Sequence, residues 1–481
     1  MSNLNSLQYL YPEIALSVGI LVLVLSAIMT KSKIARSIIA VVVLLLTGWI
    51  LSLNPATGSA LFSGTKGNHL PMLLDDGFAH FFKWLFLLAG VVTIWISVYS
   101  DDTRKSLSAE YFIILLATIL GMFFLVGSTN LLMIYLALEM VSIGQYLLAG
   151  FNRKEKRSNE AALKYVIFGG TASGIMLFGM SILFGFTGSV DLLTIVENIT
   201  ESTFVFVAAL MVFVGFAFKI SAAPLHFWAP DVYEGAPTPI TAYFSVAPKA
   251  AGFAVILRVF LAGNENWLAD WNWTLILAVV SAATMTIGNF VAVQQENIKR
   301  MLAYSSISHA GFLLMGIIPF SEMGLQAVVF YLVIYTIMNL GAFTMAILIH
   351  RNYGTENISD YGGIGKLNPL FATIFAIFLF SLTGLPPFAG FIGKFYLFAA
   401  LLKTDGFIWL AAIAIINSVV SLFYYIRPVK LMFFAEPTAE QKFPSTWHQI
   451  VLIVILVIPI SLFGIYWQPL VNWVQTANFL M

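Results

Sequence analysis

The chain has 481 residues, of which 60% are hydrophobic and 10% are charged. Water-soluble domains have about 45–50% apolar and about 25% charged residues, so this composition excludes a soluble globular protein. The formal net charge of +1 gives no indication of a nucleic-acid partner. Because the sequence contains no cysteine, disulfides, cysteine nucleophiles and thiolate-held iron–sulfur clusters are excluded, and any electron transfer is expected on another chain.

Long apolar stretches recur along the chain and are separated by short polar segments. A helix that crosses a bilayer needs roughly 20 mostly apolar residues. The N-terminal segment has no basic stretch before its first apolar run and no small-residue cleavage site after it, so we expect no signal peptide. The sequence predicts an all-α polytopic membrane protein with about fourteen spans in one integral domain, residues 1–481. The predicted spans are residues 12–30, 34–53, 78–98, 110–128, 130–149, 161–187, 203–222, 238–262, 272–294, 300–319, 324–349, 369–400, 407–433 and 448–473.

Basic residues are distributed unevenly among the predicted loops. Most Lys and Arg residues outside the spans follow odd-numbered spans, including the run Arg153, Lys154, Lys156 and Arg157, whereas the loops after even-numbered spans hold two. Short cytoplasmic loops carry an excess of Lys and Arg. The sequence therefore predicts that the odd-numbered loops face the cytoplasm and that both termini face the outer side.

Two predicted spans contain helix-breaking residues. The seventh contains Pro224 and Pro230, and the twelfth contains the pair Pro386 and Pro387 among several glycines. Proline removes a backbone donor and clashes with the preceding turn. Backbone groups freed inside a bilayer are tolerated only where protein or a wet cavity satisfies them, so we predict broken helices that line an ion path.

The position of one break in each half of the chain indicates an internal repeat. When Asn130 is aligned with Asn297, Gly144 falls on Gly311 and Ser142 falls on His309, a weak match. We predict two related units of five helices each. The predicted division is three N-terminal helices within 1–100, a first unit at 110–262, a second unit at 272–433 and a C-terminal helix at 448–473.

Few ionisable residues fall inside the predicted spans, and a charged side chain at mid-membrane costs about 2.5–3.5 kcal/mol on insertion scales. Glu139 lies near the middle of the fifth span. Lys219 is its natural partner if the fifth and seventh spans pack together. A static ion pair that locks two helices is the alternative, but ionisable residues inside membranes are functional by default, which favours a functional pair.

Lys219 and Lys394 each lie beside a predicted break, where freed carbonyl groups and water can solvate a proton carrier. An ammonium group can release its proton and a guanidinium group cannot, so lysine suits this role and arginine does not. The alternative is that these lysines extend to the membrane surface, which is more plausible for Lys394 than for Lys219.

Three further residues are candidates for proton transfer. Lys249 follows Pro248 in the eighth span, and Lys164 opens the sixth. His309 could connect the two halves, because imidazole changes charge near neutral pH, although a structural histidine explains it equally well. Arg258 and Lys83 are expected to reach a membrane surface or to pair with an acidic residue in a loop.

Asp231 and Glu234 lie where the broken seventh span nears the predicted cytoplasmic face, and they could feed protons to Lys219 or cap helices. The glycine-rich strings at 362–366 and 390–394 lack the P-loop spacing, so we predict no nucleotide site. No two histidines have the spacing of helical metal ligands, so we predict no metal or haem on this chain.

Three segments carry a resemblance to a known family: FKISAAPLHFWAPDVYEGAPTPITAYFSVAPKAAGF, NIKRMLAYSSISHAGF and GLPPFAGFIGKFYLF. They resemble the subunit N family of the proton-pumping NADH:quinone oxidoreductase, respiratory complex I. DVYEGAPTP is highly specific among the antiporter-like subunits of that enzyme. The resemblance extends over essentially the whole chain.

The resemblance implies fourteen helices in two inverted units and a proton path along a central hydrophilic axis. NADH, FMN, iron–sulfur clusters and quinone would belong to other subunits, and this chain would carry no cofactor. The partners would be other membrane subunits and the lipid bilayer of the cell (inner) membrane. The implied roles are Glu139 and Lys219 as the coupling pair, Lys249 as the central relay, Lys394 as the exit or connecting lysine, and Lys164 and His309 as their neighbours in the axis.

Two other functions fit the same residues. A subunit of a multisubunit cation/proton antiporter would share the broken helices and the lysines, but DVYEGAPTP argues against it. A non-conducting scaffold subunit would use its buried charges only to hold helices together.

Overall fold

The computed structural model describes residues 6–62, 71–104, 106–199, 202–262, 272–437 and 446–477, most of them helical. Two short strands, β1 (Ser59–Leu61) and β2 (Leu73–Asp75), pair antiparallel, and Leu7–Tyr9 and Ile358–Tyr361 form 3₁₀ turns. The helices are α1 (Tyr11–Met29), α2 (Lys33–Leu53), α3 (Gly77–Tyr99), α4 (Asp101–Arg104), α5 (Ala109–Gly127), α6 (Leu131–Ala149), α7 (Lys156–Thr187), α8 (Leu192–Asn198), α9 (Thr203–Ile220), α10 (Trp228–Gly235), α11 (Thr238–Ala262), α12 (Trp273–Val293), α13 (Ile298–Ile317), α14 (Glu322–Tyr353), α15 (Ile364–Leu367), α16 (Pro369–Thr383), α17 (Ala389–Leu401), α18 (Ile408–Phe434), α19 (Trp447–Ile465) and α20 (Gln468–Gln475).

Within the described residues, 12 helices are long and apolar enough to cross a membrane. They correspond to twelve of the predicted spans. The other two predicted spans coincide with α13 and with the pair of shorter apolar helices α16 and α17. The all-α, multi-span fold is therefore confirmed, while the count of fourteen crossings stays a prediction.

The loops separate into two faces of the bundle, as alternate crossing requires. Loops after odd-numbered predicted spans meet at one face, where Asn152 Nδ2 donates to the carbonyl of Asp102 at 2.8 Å. Loops after even-numbered spans meet at the other, where the amide of Thr129 donates to the carbonyl of Met72 at 3.2 Å. We call these the odd-loop face and the even-loop face.

Both predicted helix breaks are present, and they have the same cap. After α9, Ser221 takes a left-handed conformation with φ 60°, and after α16 Gly384 does so with φ 88°. In each case the amide of the following residue bonds to the carbonyl five residues earlier, at 2.8 and 3.1 Å. This cap satisfies carbonyl groups that the interrupted helix would otherwise leave unpaired inside the membrane.

Asn130 and Asn297, which are aligned in the predicted repeat, also cap equivalent helices. The side-chain oxygens of Asn130 and Asn297 accept amide hydrogen bonds at the starts of α6 and α13. Their side-chain amides donate to the carboxylates of Asp191 and Glu356, at 3.1 and 3.0 Å. This shared cap supports the predicted division into units at 110–262 and 272–433, which stays a prediction.

Helices α11 and α14 form the centre of the bundle, and their apolar windows are entirely buried. A helix buried on all sides must be apolar all round, which both sequences satisfy apart from a few polar positions. Those positions find partners: Asn339 Nδ2 donates to Ser245 Oγ at 2.6 Å, across the contact between the two helices. The central helices thus place isolated polar groups deep inside an apolar protein.

Candidate functional site

Four of the six predicted site residues are buried in the interior: Lys219, Lys249, His309 and Lys394 are each at most 5% exposed. They lie on four different helices: α9, α11, α13 and α17. A buried amine keeps its charge only where oxygen atoms replace the water it has lost, so the hydrogen-bond partners of each group indicate its chemistry.

Lys219 lies two residues before the cap that ends α9. Its ammonium group donates to Ser142 Oγ at 3.0 Å and closely to Gln145 Oε1, both on α6. The stem of the lysine packs on Gly252 of α11, where a Cβ atom added to the glycine would lie 3.3 Å from Cγ of Lys219. Gly252 therefore lets this lysine lie against the helix that carries Lys249.

Glu139 is on α6 but does not form the expected direct ion pair with Lys219. Its carboxylate is half-buried and accepts a close hydrogen bond from Ser173 of α7. Among the described residues, no carboxylate lies within salt-bridge distance of the Lys219 amine, whose partners are Ser142 and Gln145. The pair is separated because Glu139 points toward α7, and this removes support for a static ion pair.

Lys249 follows Pro248 inside α11 and reaches across to α13. Its amine donates to the carbonyl of Ser306 at 2.8 Å and to Ser306 Oγ at 2.5 Å. Both oxygen groups are neutral, and among the residues that the structure describes no carboxylate lies within salt-bridge distance of this amine.

His309 lies among phenol groups. Nδ1 is 2.7 Å from the hydroxyl of Tyr331, and Nε2 is 3.2 Å from the hydroxyl of Tyr425, which is also close to Ser305 Oγ. Each hydroxyl can donate or accept, so both ring nitrogens have a partner in either tautomer. This arrangement suits proton exchange as well as structural support.

Lys394 is held at the second helix break. Its amine donates to the carbonyl of Thr383 at 2.7 Å and to Ser418 Oγ at 3.3 Å, and it lies 4.5 Å from the ring centroid of Phe312. A lysine that extended to the membrane surface would not be buried against these groups, so the structure supports the interior alternative.

One face of α13 connects Lys249 with Lys394. Ser306, His309 and Phe312 are spaced three residues apart, and residues at that spacing are neighbours on a helix surface. Ser306 contacts Lys249 and Phe312 contacts Lys394, and His309 lies between Ser306 and Phe312 on the same face. The structure thus brings Lys249, His309 and Lys394 together along a single helix.

Lys164 does not lie beside these residues, contrary to the position expected in the central axis. Its amine pairs with Asp231 and Glu160, each at 2.7 Å, in an accessible cluster at the odd-loop face. Arg300 completes the cluster by pairing with Asp231 at 2.7 Å and with Glu234 at 2.9 Å. The reason is that α7 begins at 156, so Lys164 is only two turns from the odd-loop end of its helix.

Asp231 and Glu234 therefore act in ion pairs in this structure. The cluster lines a cavity of about 220 Å³, and a neighbouring cavity of about 680 Å³ shares Glu234 with it. Charged side chains line both, so they can hold water at the odd-loop face.

Asp102 stabilises the wall of the larger cavity. Its carboxylate accepts from the amide and hydroxyl of Thr238, at 3.1 and 2.5 Å. Burial raises the pKa of Asp102, but the charge of Lys299, the hydrogen bonds from Thr238 and the charge of His350 outweigh burial and leave this pKa below its usual value.

A carboxylate with a lowered pKa in the folded state stabilises the protein above the unfolded value of about 3.9 and ceases to do so as the pH falls through the folded value. We therefore expect Asp102→Asn to lower the melting temperature of the purified protein near neutral pH. The difference from wild type should shrink as the pH falls from about 5 to below 3. Thermal unfolding of both proteins across this pH range measures the difference in melting temperature. A difference that does not change with pH would contradict the prediction.

Two buried ion pairs hold basic residues whose partners the sequence did not identify. Lys83 pairs with Glu13 at 2.7 Å, with each side chain 4% exposed. Arg258 binds Asp76 through both terminal nitrogens, at 2.9 and 2.8 Å. Of the two alternatives expected for Lys83 and Arg258, the structure shows pairing with an acidic residue, and both basic side chains are buried. Glu13 lies in the first turn of α1 and Asp76 lies just before α3, so each partner is distant in sequence.

The interior groups described above are amines, an imidazole, phenols and hydroxyls, all of which can exchange protons. Within the described part of the chain, no group of three His, Asp or Glu side chains could hold a metal ion. The arrangement is suited to moving protons between fixed positions.

The family described as "NADH:quinone oxidoreductase/Mrp antiporter, TM" matches residues 128–421. NADH-quinone oxidoreductase subunit N of Anaeromyxobacter sp. (strain Fw109-5) is 43% identical, over 99% of this chain and 97% of its own length. The chain belongs to the subunit N family. Among solved structures, a chain of respiratory complex I from Thermus thermophilus with bound aureothin is 27% identical with a TM-score of 0.79, over 96% of this chain and 98% of that chain.

The subunit N family shares its fold with antiporters. A chain of the Mrp complex from Dietzia sp. DQ12-45-1b has a TM-score of 0.87 over 99% of this chain and 97% of that chain, at 22% identity. That likeness concerns the fold alone. The long matches to subunit N sequences distinguish the family from a general antiporter fold and confirm the resemblance of the three sequence segments.

Proposed function

We propose that this chain is the proton-translocating membrane subunit of a NADH:quinone oxidoreductase. Its membership of the subunit N family and its multi-span fold support this. In this proposal NADH, FMN, iron–sulfur clusters and quinone are bound by other subunits, and other membrane subunits are its partners. The complex lies in the cell (inner) membrane, with both termini of this chain on the outer side. A cation/proton antiporter subunit is not favoured, because the relatives are named as oxidoreductase subunits.

The proposed path begins at Glu139 and Lys219 and runs through Lys249 and His309 to Lys394. The observation that supports it is the face of α13 on which Ser306 contacts Lys249, Phe312 contacts Lys394 and His309 lies between them. The side chain of Lys219 packs on Gly252, three residues after Lys249 on α11. Lys164, with Asp231 and Glu234, belongs to the odd-loop cavities, where the cluster could load protons from the cytoplasm.

The chemistry requires each amine to alternate between charged and neutral forms. Moving one elementary charge against 100 mV costs about 2.3 kcal/mol, so modest changes in the charge of neighbouring groups are enough to drive a step. Lys219 and Lys249 are bound to hydroxyl, amide and carbonyl oxygens, not to carboxylates. A shift of charge at Glu139 can therefore change the proton affinity of Lys219 without first breaking a salt bridge.

Replacement of Lys219 tests the proposal. In the complete complex reconstituted into vesicles, Lys219→Arg keeps the charge but cannot release a proton. We expect proton uptake, followed with a pH-sensitive dye during NADH oxidation, to fall at least about tenfold, the scale of a lost proton-transfer group.

Lys403→Arg is the matched control, since this lysine is exposed in a loop on the even-loop face. Native gel electrophoresis verifies that both variants assemble. If Lys219→Arg assembles and pumps at the wild-type rate, the amine does not carry protons, and the scaffold alternative replaces the proposal.

A further inference from the structure

A second large cavity lies outside the proposed proton path. It is a groove of about 1090 Å³ bounded by α2, α3 and the odd-loop ends of α14 and α19. Its wall is mainly apolar, with Ile38, Val42 and Leu45 on α2 facing Val91 and Ile94 on α3. The three α2 residues are each exposed. In the membrane this wall needs an apolar occupant of matching shape.

One end of the groove is basic. Lys33, Arg351 and His448 line it, and none of the described lining residues is acidic. Arg351 donates to the carbonyl of Tyr99 at 3.2 Å, and no described carboxylate lies within salt-bridge distance of its guanidinium group. Arginine without an acidic partner is suited to binding a phosphate group, with which it can form two parallel hydrogen bonds.

The basic residues lie at the level where lipid headgroups begin. Lys33 starts α2, Arg351 is near the end of α14, and His448 is in the first turn of α19, all at the odd-loop face. The apolar wall extends from this level toward the middle of the membrane. The groove therefore has a cationic end at the headgroups and an apolar length beside the acyl chains.

We propose that this groove binds one anionic glycerophospholipid from the leaflet at the odd-loop face. Its phosphate lies at Arg351, Lys33 and His448, and an acyl chain lies along α2 and α3. A transmembrane helix of another subunit would fit the apolar wall but would offer no phosphate to Arg351, whose guanidinium group donates to the carbonyl of Tyr99. The charge of the lining residues therefore favours a phospholipid.

Native mass spectrometry of the purified full chain tests this by titration with phosphatidylglycerol and, separately, with phosphatidylcholine. We expect phosphatidylglycerol to be retained roughly tenfold more tightly, since basic residues near a membrane surface attract a headgroup with a net negative charge. The variant Arg351→Gln with His448→Gln should lose this preference. Val42→Trp, which fills the apolar wall, should weaken retention of both lipids.

Arg153→Gln with Lys154→Gln is the control, because it removes two charges from the same face outside the groove. Equal retention of the two lipids by the wild type, or an equal loss in the control, would overturn the proposal.

The chain has no cysteine, so Val42→Cys introduces a unique thiol into this subunit. In the assembled complex we expect a lipid-soluble maleimide to label it. Protection of that thiol would show that a neighbouring subunit covers the groove, and it would also overturn the proposal.

Discussion

Lys249→Met is expected to reduce coupled proton transport by at least about tenfold while leaving the complex assembled. Lys249 is the group through which a proton from the first half of the chain would reach α13, and its amine donates to the carbonyl and hydroxyl of Ser306. Methionine has a similar length and no proton to transfer, so it preserves packing and removes the chemistry. Proton uptake into vesicles and NADH oxidation, measured on the same preparation, give the number of protons moved per electron pair.

Two further variants separate proton transfer from a structural role of Lys249. Lys249→Arg should lose nearly as much transport as methionine, because guanidinium holds its proton. Ser306→Ala leaves the amine with the backbone carbonyl of the same residue at 2.8 Å, so its effect should be smaller. Wild-type transport in Lys249→Met would show that the amine only supports the fold.

Arg258→Met is expected to lower the free energy of unfolding by about 3–5 kcal/mol, because it leaves a fully buried carboxylate without its partner. Arg258 and Asp76 are both 0% exposed. Arg258 Nε also donates to the carbonyl of Val126 at 2.7 Å, and the guanidinium group lies 4.9 Å from the ring centroid of Phe78. The pair joins α11 to the start of α3 and the end of α5 at the even-loop face.

A double-mutant cycle measures this pair directly. Asp76 also caps α3 by accepting from the amide of Ala79 at 2.9 Å, so Asp76→Ser retains a helix cap and removes the charge. The double variant Arg258→Met with Asp76→Ser should be more stable than Arg258→Met alone, since no unpaired charge remains. Unfolding of the detergent-solubilised proteins with denaturant gives the free energies of unfolding of the wild type, the two single variants and the double variant. If the effects of the two substitutions simply add, the two residues are not energetically coupled.

The spans and the two breaks could be predicted from the sequence because membrane helices follow from local composition. A long apolar run must be helical in a bilayer, and Pro224 and the pair Pro386 and Pro387 lie in the two breaks, where proline disfavours a continuous helix. The placement of Lys219 and Lys394 beside the breaks was also local, and both lysines lie there in the structure.

The partners of the charged groups could not be predicted, because they depend on how each helix is rotated about its axis. Membrane helices are apolar on most sides, so their sequence gives a weak indication of which face is turned inward. The direction of Glu139 toward Ser173, and the pairing of Lys83 with Glu13, follow from that rotation. The position of Lys164 in the axis was expected from the family resemblance alone, whereas its side chain pairs with Glu160 and Asp231 at the odd-loop face.

The two helix breaks have a consequence for the electrostatics of proton loading. The carbonyl end of a helix carries a partial negative charge of about half an electron. Lys219 lies in the last turn of α9, and Lys394 donates to the carbonyl of the last residue of α16. The ammonium of Lys394 therefore rests at the negative pole of α16, and Lys219 belongs to the last turn of α9, although one lysine precedes its break in sequence and the other follows it. A fixed dipole attracts an arriving proton, and when the proton departs it leaves no bare anion behind in the low-dielectric interior.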